Sequence, residues 1–376
     1  MINFIFQLYV ALIPFQDLFK LGEITLLRVI AVFFIFFSTL CIFRSSIILK
    51  TSLIIGLACL CTPIILLLIE FFIHENVSFY SKYFPFVLNC LFFLSAWSFR
   101  KSIDFKSTIN IILIVTTAVA LLHFTSFVQV GSDGRVTTLG LNHNYSGLMV
   151  STAFIIAISK INFHKTPLLY MNMVFMLVSS VCLLAIALNG TRFCFLLSTA
   201  YMIYIMIYCF RQRLFQWVML FFILGASLII LMLITQPVLF TRLGRIHLEL
   251  TQDGRIILWM WVLSSLKESY LYGLGTEQYS VISNYAHGSY MAPHNFFIEV
   301  FAYGGLLGIV STFPHFHLAK YPSRHLVLSH EYKRLRVGLY LVIITTLLMH
   351  HVFFNKLYWI LLLLLVVPRY QKMQKQ

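Results

Sequence analysis

Apolar segments of roughly twenty residues recur along the whole of this sequence of 376 residues. A helix needs about 20 such residues to cross the hydrocarbon core of a bilayer. The composition agrees, because 60% of the residues are hydrophobic and only 10% are charged, whereas roughly a quarter of the residues in a soluble domain are charged. Charge this scarce cannot cover a water-facing surface, so the sequence predicts a polytopic, all-α membrane protein.

The apolar segments predict a bundle of about twelve transmembrane helices in one membrane domain, 1–376. Residues 337–368 are too long for one untilted span at about 1.5 Å per residue, and Asn355 with Lys356 supplies a polar break, so this stretch predicts a hairpin. The long loop between the ninth and tenth helices, 236–295, contains helix-compatible stretches and is predicted to be folded. The predicted helices cover 2–16, 24–43, 51–73, 83–99, 108–128, 145–161, 167–188, 192–210, 214–235, 296–318, 337–352 and 354–368.

The distribution of lysine and arginine predicts the orientation, because cytoplasmic loops collect these residues. With the N-terminus in the cytoplasm, most of the 27 lysines and arginines fall in cytoplasmic segments and both termini are cytoplasmic. Long loops cross the membrane largely regardless of their charge, so the loop 236–295 is predicted to lie outside. The net charge of +15 then reflects either topology alone or an anionic ligand. Nucleic acid is not expected, because no basic run with interleaved aromatic residues is present.

Several arginines fall on the outer face, where topology does not require them. Arg192 ends the motif Asn-Gly-Thr-Arg at 189–192, between two predicted helices. One interpretation is an arginine whose charged end reaches the membrane surface. The other is a ligand for a phosphate, because the nearby Gly190 permits close backbone approach. Guanidinium groups also bind diphosphates in a bidentate manner. The other outer arginines considered for the same role are Arg135, Arg242, Arg245 and Arg255.

Arg255 and Trp259 are four residues apart in the long loop and share a face if the segment is helical. This segment is open to two interpretations. It is either part of a substrate site or an amphipathic helix in the membrane interface, with Trp259 and Trp261 as anchors at headgroup level.

His294 is the strongest candidate for a general base, because imidazole titrates near neutral pH and can accept a proton from a sugar hydroxyl. It lies between Pro293 and Asn295, directly before a predicted helix that contains Glu299. An ionisable group in an apolar helix is expected to face the interior of the bundle or a cavity, so Glu299 could orient the site. His294 could equally be an interfacial histidine without a role, and the competing histidines on the same face are His143, His247 and His287.

Several motifs are absent from the sequence. A phosphate loop of the form GxxxxGK[ST], which would predict ATP hydrolysis, is not found. An acidic pair on the outer face, which would predict a divalent metal site, is not found either. Successive intramembrane charges, which are typical of proton-coupled pumps, are also missing. The sequence therefore predicts neither a cofactor nor a metal site.

The order of these motifs resembles the O-antigen ligase and polymerase family of bacterial envelope glycosyltransferases. The resemblance covers roughly residues 130–310 and includes a further glycine pattern in the tenth predicted helix. An arginine at a helix junction is also typical of the family, although Phe193 follows it here where the family has a small residue. The motifs are Asp-Gly-Arg at 253–255 with Trp259, Tyr-Gly-Leu-Gly at 272–275, Pro-His-Asn at 293–295, and the glycines Gly304, Gly305 and Gly308.

The resemblance implies a twelve-helix protein of the bacterial inner membrane that acts on an undecaprenyl-diphosphate-linked oligosaccharide. It implies metal-independent, inverting transfer, with His294 as general base and with Arg192 and Arg255 binding the diphosphate. An O-antigen polymerase is the first expectation. The alternatives are a ligase that transfers the glycan to the lipid A core and a non-catalytic transporter of the same lipid. A chain-length regulator and a flippase of the same pathway are possible protein partners.

Overall fold

A computed structural model describes the protein over residues 1–16, 18–21, 24–44, 49–75, 80–125, 128–130, 136–139, 141–163, 170–209, 254–287, 291, 293–320, 330–349 and 355–366. Within these residues the chain forms thirteen α-helices and one 3₁₀ helix, Ile13–Phe15. In chain order the α-helices are α1 (Ile2–Leu12), α2 (Leu26–Arg44), α3 (Leu49–Phe72), α4 (Tyr80–Ser98), α5 (Phe105–Leu122), α6 (His143–Lys160), α7 (Tyr170–Asn189), α8 (Arg192–Cys209), α9 (Gly254–Ser265), α10 (Gly275–His287), α11 (Phe296–Lys320), α12 (His330–Met349) and α13 (Lys356–Val366).

The predicted all-α class is confirmed, apart from two short antiparallel strand pairs that the sequence analysis missed. The strands β1 (Lys20–Leu21) and β2 (Ile24–Thr25) form one pair. The strands β3 (Val128–Val130) and β4 (Val136–Thr138) form the other. The fifth predicted helix therefore ends at Leu122, before β3, instead of continuing to residue 128.

Eleven of the twelve predicted helices correspond to described helices, and the remaining one, 214–235, lies outside the described residues. The count of twelve spans and the side on which the long loop lies remain predictions. The predicted hairpin at 337–368 corresponds to α12 and α13. Asn355 begins α13 by accepting a hydrogen bond from the backbone N–H of Tyr358 at 3.1 Å, as an N-cap residue does.

Three of the described helices are long and apolar enough to cross a membrane, at Phe105–Leu122, Tyr170–Asn189 and Phe296–Phe313. These helices expose large apolar side chains such as Ile114, Leu177 and Phe313. Apolar surface of this kind is stable when it faces lipid and is rarely exposed in bulk on a soluble monomer. The apolar helices thus indicate an integral membrane protein.

The helix α6 forms the centre of the bundle and packs against α5, α7, α8 and α12. All of its residues from 146 to 159 are buried, as is typical of a helix that is enclosed by protein on every side. Its polar side chains bond to its own backbone; for example, the Thr152 hydroxyl donates to the Leu148 carbonyl at 2.8 Å. Gly338 of α12 faces Ile155 of α6, and the missing side chain allows the two helices to approach closely.

Arg334 fastens α12 to the C-terminal end of α6. Its guanidinium donates hydrogen bonds of 2.8 Å and 2.7 Å to the carbonyl groups of Ser159 and Ile161 and lies over the rings of Phe163 and Tyr208. Because α12 begins at His330 instead of at residue 337 as predicted, Arg334 belongs to a helix and is only 3% exposed. It stabilises carbonyl groups that the end of a helix leaves without partners.

The helix α11 is broken at Gly305, whose backbone adopts the left-handed torsion φ 56°, ψ −147°. The carbonyl groups of Tyr270 and Leu271 accept hydrogen bonds from the N–H groups of Leu306 and Leu307 at 2.8 Å and 3.2 Å, and the N–H of Leu274 donates to the Ala302 carbonyl at 2.7 Å. Segment 270–274 therefore supplies the partners that the break would otherwise leave unpaired. Such non-helical backbone is tolerated within a membrane domain only where protein buries it.

Glycines make this contact possible. A Cβ at Gly305 would lie 2.5 Å from the Gly273 nitrogen and 2.6 Å from the Leu271 carbonyl oxygen, and Gly273 itself has φ +80°. In the same helix, Gly304 and Gly308 face Leu66 of α3. The close packing of α11 against segment 270–274 and α3 therefore depends on these glycines.

Replacing Gly305 by alanine should destabilise the protein by at least about 1–3 kcal/mol, because alanine adds strain in the left-handed region and a steric clash with the backbone of Leu271. The measurement is thermal unfolding of the purified protein in detergent. Leu306→Ala is the control, since Leu306 is exposed and helical. Equal melting temperatures for Gly305→Ala and wild type would contradict the contact between segment 270–274 and α11.

Candidate functional site

The structure describes most of the predicted site residues. Asn295, Glu299, His294, Trp259 and Arg192 are described in full. Arg255 is the second residue of α9, and only its backbone is described. The remaining predicted arginines and one of the competing histidines lie outside the described residues; these are Arg135, Arg242, Arg245 and His247.

The first cluster forms where the turn at 189–192 meets the start of α6. Gly190 has φ 68°, and its N–H donates to the carbonyl groups of Ile186 and Ala187 at 3.2 Å and 3.0 Å. A left-handed glycine of this kind commonly ends a helix. The turn therefore ends α7 and lets α8 begin two residues later, at Arg192.

Side-chain hydrogen bonds fix this turn against α6. The Asn189 amide donates to the Ser146 hydroxyl at 2.8 Å, and the Thr191 hydroxyl contacts the Asn189 side-chain oxygen and lies 3.3 Å from the His143 carbonyl. A Cβ at Gly147 would lie 2.8 Å from that same Asn189 oxygen. Close approach of the two segments thus holds Arg192, which is partly exposed, in a fixed place at the N-terminus of α8.

Two neighbours of Arg192 bear on the sequence analysis. Phe193, which stands where the related family has a small residue, packs partly buried against the core, so α8 accommodates the larger side chain. His143, a competing histidine, is the first residue of α6, which Asn142 caps by accepting from the Asn144 N–H at 2.9 Å. The structure therefore brings His143 and Arg192 to the same cluster.

The second cluster is centred on His294, whose backbone is left-handed with φ 52°. This conformation is uncommon for a residue other than glycine, and strained residues of this kind occur at functional sites. Directly after it, Asn295 caps α11 by accepting hydrogen bonds from the N–H groups of Phe297 and Ile298 at 3.0 Å and 3.1 Å. The start of α11 thus fixes the chain on the C-terminal side of His294.

The helices α9 and α10 fix the chain on the N-terminal side of His294. The indole N–H of Trp259 in α9 donates to the Pro293 carbonyl at 2.8 Å. In α10, the Tyr279 hydroxyl donates to the Met291 carbonyl at 2.6 Å, and the Ser283 hydroxyl accepts from the Met291 N–H, also at 2.6 Å. Three helices therefore hold the strained segment that carries His294.

The structure separates the two tryptophans that the sequence analysis treated together. Trp259 is partly buried and bonds to Pro293, whereas Trp261 is 45% exposed and packs edge-to-face with Tyr285 at a centroid distance of 5.6 Å. Trp259 is thus part of the second cluster. Only Trp261 retains the character of an interfacial anchor.

Glu299 lies one turn into α11 and is 1% exposed. Its backbone N–H donates to the Asn295 carbonyl at 2.8 Å, so the carboxylate belongs to the first turn of the helix, where the macrodipole favours negative charge. The expectation that this acid would face the interior of the bundle is confirmed by its burial.

Sequence reasoning missed two polar residues beside this cluster. Glu70 near the end of α3 is buried, and its carboxylate accepts a hydrogen bond from the Thr276 N–H at 2.5 Å. His74 follows one turn later; burial lowers its pKa, and a hydrogen bond to the backbone of Tyr272 partly offsets that effect. Glu70 could have been found by the rule that selected Glu299, since both are acids in apolar helices.

The two clusters are built by different helices. The first lies among α6, α7 and α8, and the second among α9, α10 and α11. The helix α12 links the two groups because it packs against α6, α8 and α11. His143 and Arg192 lie at the opposite end of α6 from Arg334 and Lys160. The end of the bundle with the first cluster is therefore distinct from the end where Arg334 binds the α6 carbonyl groups.

Comparison with known proteins gives one family. Residues 176–313 match the family model described as O-antigen ligase. That range begins within α7 and ends within α11, so it contains both Arg192 and His294. No curated protein matches the sequence. The predicted resemblance to the O-antigen ligase and polymerase family is thus confirmed, and it supports a polymerase- or ligase-type role.

Replacing Trp259 by phenylalanine should loosen the segment that carries His294, because an aromatic ring is kept but the indole N–H that donates to the Pro293 carbonyl is lost. A hydrogen bond of this kind contributes about 0.5–1.5 kcal/mol, so amides near residue 294 should exchange with deuterium roughly two- to tenfold faster. The measurement is hydrogen exchange followed by mass spectrometry. Trp261→Phe should leave these amides unchanged, and equal effects of the two substitutions would contradict the assignment.

Proposed function

From the family match at residues 176–313, we propose that this chain is an O-antigen polymerase of the bacterial inner membrane. It joins polyprenyl-diphosphate-linked oligosaccharide repeat units at the periplasmic face. The observation that carries the proposal is that the matched range includes a histidine in a strained segment held by three helices. A segment fixed in this way is pre-organised for chemistry, since catalytic groups must be held near their productive geometry.

The proposed reaction is a single displacement. The acceptor hydroxyl attacks the anomeric carbon of the donor glycan as His294 removes its proton. The new glycosidic bond forms while the bond from that carbon to the diphosphate oxygen breaks, and the polyprenyl diphosphate leaves with the electron pair. Attack from the side opposite the leaving group inverts the anomeric centre. Arginines are proposed to neutralise the negative charge of the diphosphate leaving group, so the reaction is proposed to need no metal.

Arg192 and Arg255 are the arginines assigned to the diphosphate, with Arg135, Arg242 and Arg245 added from the charge of the outer face. Their position supports this role. Arg192 is the first residue of α8 and Arg255 the second of α9, and neither helix has an acid in its first turn. A cation is unfavourable at the positive end of a helix dipole, whereas an anion there is bound by both the N–H groups and the guanidinium.

Asn295, Glu299 and Trp259 are assigned supporting roles. Asn295 and Trp259 position the backbone on either side of His294 through the hydrogen bonds described above. Glu299 places a buried carboxyl group in the first turn of α11, one turn from Asn295. A lipid flippase and a chain-length regulator of the same pathway are proposed partners.

Two other functions fit parts of the same site. A ligase would perform the same displacement with a sugar of the lipid A core as the acceptor, and it shares the family match. A transporter of the lipid-linked glycan would use the arginines to bind the diphosphate but would not need a base. The match to a family model described as O-antigen ligase favours catalysis over transport.

Disruption of the gene separates polymerase from ligase by the pattern of surface polysaccharide on a gel. Loss of a polymerase should leave a single repeat unit on the core. Loss of a ligase should leave the core alone, with polymer accumulating on the carrier lipid. A wild-type ladder after disruption would refute both assignments, and restoration by the plasmid-borne gene is the control.

Substitution of His294 and Arg255 separates catalysis from transport. In purified protein with excess EDTA, wild type should form product, whereas His294→Ala should slow it by roughly 10²–10⁴-fold because general base catalysis is lost. Arg255→Ala should weaken both binding and turnover. Lys333→Ala, at an exposed position in the first turns of α12, is the charge control.

A transporter would form no product in this assay, and its function in cells would tolerate His294→Ala but not Arg255→Ala. His143→Ala tests the competing histidine of the first cluster. Loss of activity with His143→Ala but not with His294→Ala would move the base to that cluster. A strict requirement for added divalent ions would contradict the proposed metal independence.

A further inference from the structure

Glu70 is a buried acid that makes a specific contact between distant parts of the chain. It lies near the end of α3 and is 0% exposed. Its carboxylate accepts a hydrogen bond of 2.5 Å from the backbone N–H of Thr276, the second residue of α10. The first N–H groups of a helix have no partner within that helix. Glu70 therefore caps α10 from another helix, across 206 positions of sequence.

The start of α10 fits closely against the same face of α3. His74 follows Glu70 by one turn, and a Cβ on Gly275 would lie 2.8 Å from its imidazole ring. Gly275 has φ +70°, a backbone conformation that favours glycine. Glu70 of α3 and His74, two residues beyond the end of α3, thus contact the segment that leads into α10.

The backbone of α11 fixes this segment from the other side. Leu274 donates to the Ala302 carbonyl, just before the break in α11 at Gly305. The contacts on that side are between backbone atoms and follow from the glycines. Those on the α3 side depend on the Glu70 and His74 side chains, so they can be altered by substitution without changing the backbone of α11.

The face of α10 that begins at Thr276 continues to the loop before His294. Thr276, Tyr279 and Ser283 follow the spacing i, i+3 and i+7, which places them on one side of a helix. Tyr279 and Ser283 both bond to Met291, three residues before His294. A helix segment of this length moves as a unit, so the position of its first turn sets the position of Met291.

We propose that Glu70 is a positioning residue for His294. It fixes the start of α10 on α3, and α10 in turn holds the segment that carries the histidine. This role rests on the proposed function of His294 as general base. A positioning role predicts a loss in turnover with little change in the binding of the diphosphate lipid, because Arg192 and Arg255 lie on α8 and α9, whereas Glu70 fixes the start of α10.

The test compares Glu70→Leu with Glu70→Gln in the full-length protein. Leucine removes the acceptor, and turnover per folded molecule should fall roughly 10- to 100-fold, since a displacement of about 1 Å can cost as much as 10² in rate. Glutamine keeps a side-chain oxygen at the same distance and should restore most of the turnover. Binding of undecaprenyl diphosphate, measured separately, should stay within about twofold for both variants.

A double-mutant cycle with His294→Ala separates positioning from a general structural effect. If Glu70 acts through His294, adding Glu70→Leu to His294→Ala should cause no further loss of the residual turnover. An additional independent loss, or no effect of Glu70→Leu on the wild-type background, overturns the positioning role alone. Full activity of His294→Ala overturns the proposed function of His294 and the positioning role with it.

If Glu70→Leu is not recovered as folded protein, Thr276→Pro tests the same hydrogen bond from the donor side. Proline is tolerated in the first turn of a helix and removes the N–H that Glu70 accepts. Thr276→Ala keeps that N–H and is the matched control. Turnover reduced by Thr276→Pro but not by Thr276→Ala supports the role, and equal turnover of the two variants overturns it.

Discussion

The contact between segment 270–274 and the break in α11 is the interaction on which the second cluster depends. In a membrane domain an unpaired backbone group has no water to bond with and costs several kcal/mol. A helix can therefore be broken at Gly305 only if another part of the protein supplies the missing partners. The carbonyl groups of Tyr270 and Leu271 do so. The same contact anchors the polypeptide between α9 and α10 to the bundle, so the helices that hold His294 have a fixed base.

Strain at His294 becomes possible because its surroundings are fixed in this way. A non-glycine residue in the left-handed region costs of order 1–3 kcal/mol and persists only when neighbouring contacts outweigh it. Here the neighbouring carbonyl of Pro293 is bonded to Trp259, and the next residue, Asn295, caps α11. A histidine on an unconstrained loop would relax to an ordinary conformation. The backbone that carries the imidazole is thus fixed, as the proposed role of a general base requires.

The sequence predicted the features that depend on local composition. Hydropathy located eleven helices, and the motif order selected His294, Asn295 and Arg192, which the structure holds in fixed positions. What it missed depends either on very short strands or on partners far along the chain. The ladders of two or three residues at β1–β2 and β3–β4 are too short to show a periodic pattern. The start of α12 was placed too late because Arg334 looks like a loop residue until its bonds to the end of α6 are known. Glu70 gave a signal, a lone acid in an apolar segment, but its partner Thr276 could not be inferred from spacing.

The charges near helix ends fall into two groups with opposite relations to the helix dipole. Glu70 caps α10, Glu299 lies in the first turn of α11, and Arg334 binds the last carbonyl groups of α6, so each of these stabilises the helix end that it contacts. Arg192 and Arg255 do the reverse, because each places a cation in the first turn of a helix that has no acid there. A placement that does not help the fold is expected where function requires it. An anion bound at either helix start would remove the conflict, since it would be attracted by the guanidinium group and by the positive end of the helix dipole alike.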